Sequence, residues 1–161
     1  MKKFKVLLLL LLVILTTGCG SRRAATPDQF KEAFKDYTVE DVSSEFSFAD
    51  TAYKVTSTDN MIVYYFKCKS VDVVKDIYYD EITNVKKEAA ADLIANNGTD
   101  YKFKEEDIEK TITKGDNYTI AKYSLRDTYY RISFIEDTYI YGTVDIGQKT
   151  KLDNLMTILK Y

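Results

Sequence analysis

The side chains able to do chemistry are few. The 161-residue chain has two cysteines, Cys19 and Cys68, and no histidine. A nucleophilic thiol needs a neighbouring base or cation to lower its pKa, and imidazole is the usual one. Triads built on Ser-His or Cys-His and histidine-bearing metal sites are therefore excluded. No Gly-rich phosphate loop, nucleophile elbow or paired-cysteine zinc spacing occurs. The run "KEED", Lys104 to Asp107, reads as a solvated turn or strand rather than a metal or acid-base site. This inventory implies no catalytic residue, no metal and no cofactor. What remains is one cysteine placed for acylation, and fourteen tyrosines with no tryptophan.

Cys19 follows a leader. "MKKFK" is basic, and Val6 to Leu15 is an unbroken apolar run. A helix crossing a bilayer needs about 20 apolar residues, so this run is too short to span one. A basic start, a short apolar core and small residues at the end are what secretory processing recognises, with the positive flank kept inside. "LTTGC", Leu15 to Cys19, resembles the lipobox of bacterial lipoproteins, although Thr16 holds the position where leucine is commonest. The resemblance implies that residues 1–18 are a lipoprotein signal peptide and that the Cys19 sulfur carries a diacylglyceryl group with palmitate-type chains. The alternative is an ordinary signal peptide followed by a coincidental cysteine. Each buried CH₂ contributes about 0.8 kcal/mol, so two acyl chains on one cysteine make a sufficient anchor. The expected location is the extracytoplasmic face of the cell membrane, with the membrane as a partner through Cys19. Cys68 then has no disulfide partner in the chain. In "MIVYYFKCK" it shares a face with Ile62, Tyr64 and Phe66, as a buried small apolar side chain would.

Cleavage after Gly18 removes three lysines and no acid, taking the net charge from −2 to −5. No basic stripe exists to displace counterions, which argues against nucleic acid as a partner. The negative body is also repelled from an anionic membrane. Residues 19–26 read as a lipidated tether reaching about 25 Å when extended. Arg22 and Arg23 within it either add about 1 kcal/mol each at an anionic leaflet or act only as a soluble spacer. Residues 27–161 suit a single α+β extracytoplasmic domain.

Pattern places the elements. "TPDQF" opens a helix, with Thr26 as cap, Pro27 in the first turn and Gln29 closing a capping box; Phe30, Ala33, Phe34 and Tyr37 form its apolar stripe. After an irregular "TVEDVSSEFSF", Tyr53 and Val55 begin a strand, "STDN" turns, and Met61 to Lys69 returns. Val71, Val74, Tyr78, Ile82, Val85, Ala89 and Leu93 mark one face of a long helix ended by "NNG". "IEKTIT", "YTIAKYSLR", "YYRISFI" and "YIYGTVDI" form four strands whose short links make an antiparallel meander. Leu152, Leu155, Met156 and Leu159 mark a last helix. The expected fold is α+β in the order αββαββββα, a hairpin plus four-stranded meander covered on one face by helices.

The lipobox, the "TPDQFKEAF" opening, the hairpin feeding a long helix and the tail from Tyr129 to Tyr161 together resemble small lipoproteins of low-GC Gram-positive bacteria, a group without an established activity. The resemblance spans nearly the whole chain and implies a role for Cys19 alone. The residues themselves point to the sheet. Tyr130, Ile132 and Phe134 alternate with Tyr129, Arg131 and Ser133; Ile140, Gly142 and Val144 alternate with Tyr139, Tyr141 and Thr143. If the apolar sets meet the helices, Tyr129, Arg131, Tyr139 and Tyr141 face outward together. Tyrosine and arginine dominate binding hot spots, whereas cross-strand tyrosine pairs also stabilise sheets with no further role. The expected function is a non-catalytic binding or assembly module for another envelope protein; the alternative is capture of a small solute or glycan. A flat patch favours the first and a concave pocket the second. Replacement of Cys19 by alanine is expected to move the protein from the membrane to the medium, or to leave it as precursor. Fractionation checks this, and a cleaved form that stays on the membrane overturns the anchor.

Overall fold

The first helix forms where its cap is placed. In the computed structural model, which describes residues 20–100 and 102–161, Thr26 accepts from the Gln29 backbone at 3.3 Å while the Gln29 side chain accepts from the Thr26 N–H at 2.9 Å. Helix α1 (Pro27–Ala33) follows and buries Phe30. The leader and Cys19 lie outside the described residues. A short strand β1 (Val39–Asp41) and a 3-10 turn (Ser43–Glu45) occupy the stretch expected to be irregular. The hairpin is β2 (Ala49–Thr56) and β3 (Ile62–Cys68). Ser70 caps the long helix α2 (Val71–Asn97), and Gly98, at a φ of 94°, ends it by donating to the Ile94 carbonyl at 2.9 Å. This left-handed backbone region is cheap only for glycine.

The meander comprises β4 (Glu109–Lys114), β5 (Tyr118–Leu125), β6 (Thr128–Ile135) and β7 (Thr138–Asp145), followed by α3 (Lys149–Ile158). Two-residue turns, Arg126-Asp127 and Glu136-Asp137, join β5 to β6 and β6 to β7; the first residue of each takes a positive φ, 46° and 54°. Such turns match the twist of antiparallel strands and fix their register.

The α+β class and the order of the main elements stand as expected, with β1 as an added edge strand. All strands form one antiparallel sheet in the order β1-β2-β3-β7-β6-β5-β4. The coverage differs from expectation, because helices lie on both faces. One core packs Val55, Val63, Tyr65, Ile140 and Val144 against Phe30 and Phe34 of the α1 segment and against Leu152 and Met156 of α3. The other packs Phe66, Tyr123, Ile132 and Tyr139 against Val74, Tyr78, Ile82 and Val85 of α2. The cause is visible in β6, whose residues from Tyr129 to Ile135 are buried without a break. A strand with no polar alternation needs cover on both sides. Each large side chain buried this way contributes about 1.5–3 kcal/mol.

Close approach of α3 depends on Gly142. A Cβ built there would stand 3.0 Å from Leu152 Cδ1 and 3.1 Å from Met156 Cε. Gly142→Val is therefore expected to lower stability by about 1–3 kcal/mol, as overpacking does. Urea unfolding checks this, and an unchanged midpoint would mean that α3 does not pack so closely.

Candidate functional site

The four residues singled out on β6 and β7 do not form one outward face. Register across the two-residue turn sets Phe134 opposite Tyr139, Ile132 opposite Tyr141 and Arg131 opposite Gly142. Directly opposed residues share a face, so Tyr139 and Tyr141 lie with Ile132 under α2, and Tyr129 and Arg131 lie with Ile140 under α3. Exposure completes the correction: Tyr129 is 0% exposed, Arg131 5% and Tyr139 2%. Only Tyr141 is partly open. The two apolar triplets of the sequence face opposite ways.

On the α3 face Arg131 and Tyr129 hold a structural charge cluster. The Tyr129 hydroxyl donates to Asp153 Oδ1 at 2.8 Å, Lys122 Nζ reaches Asp153 Oδ2 at 3.2 Å, and the Arg131 guanidinium donates to Asp153 and to the Tyr161 carbonyl. Burial pushes the Asp153 carboxyl up, but these three donors together outweigh it and hold Asp153 below the usual carboxylate range. Burial also raises the Tyr129 hydroxyl, so it stays a neutral donor.

On the α2 face Tyr139 and Tyr141 line a cleft of about 320 Å³. Phe46 and Phe48 from the loop before β2 and Tyr64 and Phe66 from β3 supply its other rings, and α2 supplies Ile77 and Glu81. The rings brace one another: Phe46 meets Phe66 edge-on at 4.9 Å, Tyr64 stacks on Phe66 at 5.7 Å, and Tyr64 stands 6.5 Å from Tyr141. Such contacts add about 0.5–1.5 kcal/mol each beyond the area they bury. Glu81 is the one ionisable carboxyl in this lining, which contains no lysine or arginine. Burial raises its pKa above the ordinary glutamate value of 4.5, Glu88 adds to the rise, and the Tyr141 hydroxyl acts against it. The arrangement offers ring faces and one half-buried carboxyl, with Lys54 Nζ 5.8 Å from the centre of the Tyr64 ring.

Phe46, Phe48 and Glu81 were not legible as site residues. The two phenylalanines lie in a stretch without period. Glu81 follows Ile77 by four residues, a spacing that places both beside the buried stripe of α2, and this was the available signal. Cys68 behaves as a core residue, 2% exposed, its thiol pushed up to about 12 by burial. In the "KEED" run, Glu105 bonds Lys86 at 2.6 Å and Lys110 at 3.0 Å; the Lys86 bond does most to hold its carboxyl down at about 2. Glu105 thus pins the 3-10 turn at Glu105–Asp107 to α2 and β4.

No family model matches the chain, and no curated protein matches it. Among solved structures, the chain is similar to the crystal structure of a GTP binding regulator from Thermotoga maritima, with a TM-score of 0.42 and 8% identity over 83% of this chain and 87% of that one.

The charge cluster generates a test of its own. Asp153→Asn leaves Arg131 buried without its counter-charge, and removing one partner of a buried pair costs about 3–5 kcal/mol. Chemical denaturation is expected to show a loss of that size. A loss below about 1 kcal/mol would mean that water reaches the guanidinium and that the pair is not a buried one.

Proposed function

We propose that this chain is a membrane-anchored extracytoplasmic lipoprotein, held through Cys19, that captures a small organic cation in the aromatic cleft on the α2 face. The anchor rests on the leader and "LTTGC". The ligand class rests on one observation: Glu81 lines the cleft together with six aromatic rings, of which Phe46, Phe48, Tyr64 and Tyr141 are partly open, and no lysine or arginine lines it, although Lys54 Nζ lies 5.8 Å from the centre of the Tyr64 ring. Ring faces attract cations by their quadrupole, by about 0.5–2 kcal/mol per good contact. An ammonium group also restores to Glu81 the charge partner that its burial calls for. A flat or ring-shaped body stacks on the tyrosines, so amine-bearing solutes and amino sugars both fit the class. An envelope-protein interface on the four singled-out residues would need Tyr129 and Arg131, which are buried.

Binding is expected to depend on pH. With its pKa raised, Glu81 stays neutral to higher pH than an ordinary glutamate, and a cation prefers the ionised form. Affinity therefore rises as pH climbs from 4.5 through the raised value of Glu81, then levels off. Titration with benzyltrimethylammonium, followed by tyrosine emission, checks this against neutral benzyl alcohol. Tyr141→Ala and Glu81→Gln are each expected to weaken the ammonium probe about 3- to 30-fold, and Glu81→Gln to remove the pH dependence. Equal affinity for the alcohol, or pH dependence that survives Glu81→Gln, overturns the reading.

A further inference from the structure

A second cavity, of about 620 Å³, opens on the opposite face of the sheet. Arg22, Arg23, Lys122, Arg131 and Lys160 line it, with Ser21 and Thr113 among the hydroxyls and no Asp or Glu in the lining; the main-chain oxygen of Tyr161, which also lines it, accepts from Arg131. Asp153, beside it, answers Lys122 and Arg131, which leaves a positive surplus. Arg131 is 5% exposed, and its Nε has no hydrogen-bond partner. A cavity with a surplus of cations calls for an anion, and a guanidinium fork suits the oxygens of a phosphoryl group.

The cavity is built where the anchor enters. The Arg22 N–H donates to Asn117 Oδ1 at 2.9 Å, Asn117 Nδ2 donates to the Arg22 carbonyl at 2.7 Å, and Arg22 Nη1 donates to the Lys160 carbonyl at 2.8 Å. The Tyr65 hydroxyl donates to the Ala25 carbonyl at 2.9 Å, and Ala25 is buried. Half of the expected tether is thus docked on the domain. Three residue steps separate Arg22 from Cys19, a reach of about 10 Å at full extension. With lipid on Cys19, the cavity sits at the level of the phospholipid headgroups.

A second groove, of about 510 Å³, meets the first at Arg23 and Lys160, which line both. It runs between α1 and α3, over Ala33, Leu155 and Ile158, and Ile158 is 67% exposed. Its rim also carries Asp36 and Glu32, the latter paired with Lys35 at 3.0 Å. A cationic cavity adjoining a groove with an apolar floor of Ala33, Leu155 and Ile158 matches a ligand with a phosphate at one end and hydrocarbon at the other.

We infer that the cavity lined by Arg22, Arg23, Lys122, Arg131 and Lys160 binds the phosphoryl group of an anionic phospholipid, with the glycerol and acyl portion in the α1–α3 groove. Its membrane source rests on the lipid-anchor reading of Cys19; the site itself is independent of the aromatic cleft. The test uses the full chain in neutral detergent, whether or not Cys19 is acylated, so its failure is separate from that of the anchor, which fractionation decides. The probes are dihexanoyl phosphatidylglycerol, dihexanoyl phosphatidylcholine and inorganic phosphate, read by the shift in thermal midpoint. Phosphatidylglycerol is expected to raise the midpoint saturably, at concentrations about tenfold below either control. Arg23→Gln with Lys160→Gln, both exposed positions outside the Arg131 cluster, is expected to weaken it about tenfold or more. No saturable shift, equal effect of the choline lipid, or a double variant that binds like the parent overturns the proposal. Inorganic phosphate binding as well as the lipid overturns the lipid source and identifies a free-anion site.

Discussion

The pairing of β3 with β7 holds the rest in place. From Ile62 opposite Thr143 to Lys67 opposite Thr138, it joins a hairpin made early in the chain to a meander made late. The two halves are otherwise local structures, each closed by short turns. Joining them requires closure of a long loop that contains all of α2 and β4 to β6, an entropic cost that grows slowly with loop length. The return is that β3, β7 and β6 become interior strands buried on both sides. Tyr65 then sits opposite Ile140 on one face and Phe66 opposite Tyr139 on the other. Neither face can stay open to water, which is why α2 packs on one and α1 and α3 on the other.

The same registers separate two chemistries. On the α2 face β3 sets Phe66 and Tyr64 opposite Tyr139 and Tyr141 of β7, and Phe46 and Phe48 pack against this aromatic row. On the α3 face Arg131 and Lys122 of the sheet both pair with Asp153 of the helix, at the edge of an apolar layer. A buried ion pair adds little net stability over an apolar replacement of the same shape. Its retention here goes with location, since Arg131 also lines the basic cavity.

How far the sequence reached is clearest from individual residues. Thr26, Pro27 and Gln29 announced α1 because capping is a local hydrogen-bond exchange, and the stripe from Val74 to Ala89 announced α2 because helical burial repeats every three or four residues. At the ends of that stripe the pattern overshot: Val71 is exposed and Leu93 only partly covered, since α2 outruns the sheet beneath it. Which face Tyr139 and Tyr141 occupy was not carried by alternation, for β6 and β7 each alternate validly in either sense. The link decided it. Read as the two-residue turn Glu136-Asp137, with Thr138 already in the strand, it sets Ile132 opposite Tyr141 and divides the tyrosines. Phe46, Phe48 and the docking of residues 22–25 depend on contacts between segments far apart in sequence, and no local pattern encodes those.

The division of faces also bears on the proposed anchoring. Under the proposed cleavage after Gly18 the body would carry −5 and be repelled from an anionic leaflet as a whole, yet Arg22, Arg23, Lys122, Arg131 and Lys160 gather at the end where residues 22–25 dock on the domain. On the proposed lipid-anchored reading, charge separated in this way would turn the tether end toward the headgroups and the acidic remainder away. Attraction at this range decays within about 8–10 Å at ordinary salt, so only a patch held as close as three residues from the anchor benefits. The aromatic cleft belongs to the other face of the sheet. If the proposed anchor holds the basic cavity against a bilayer, α2 and the loop bearing Phe46 and Phe48 lie on the side turned away from it, and Glu81 opens away from the lipid.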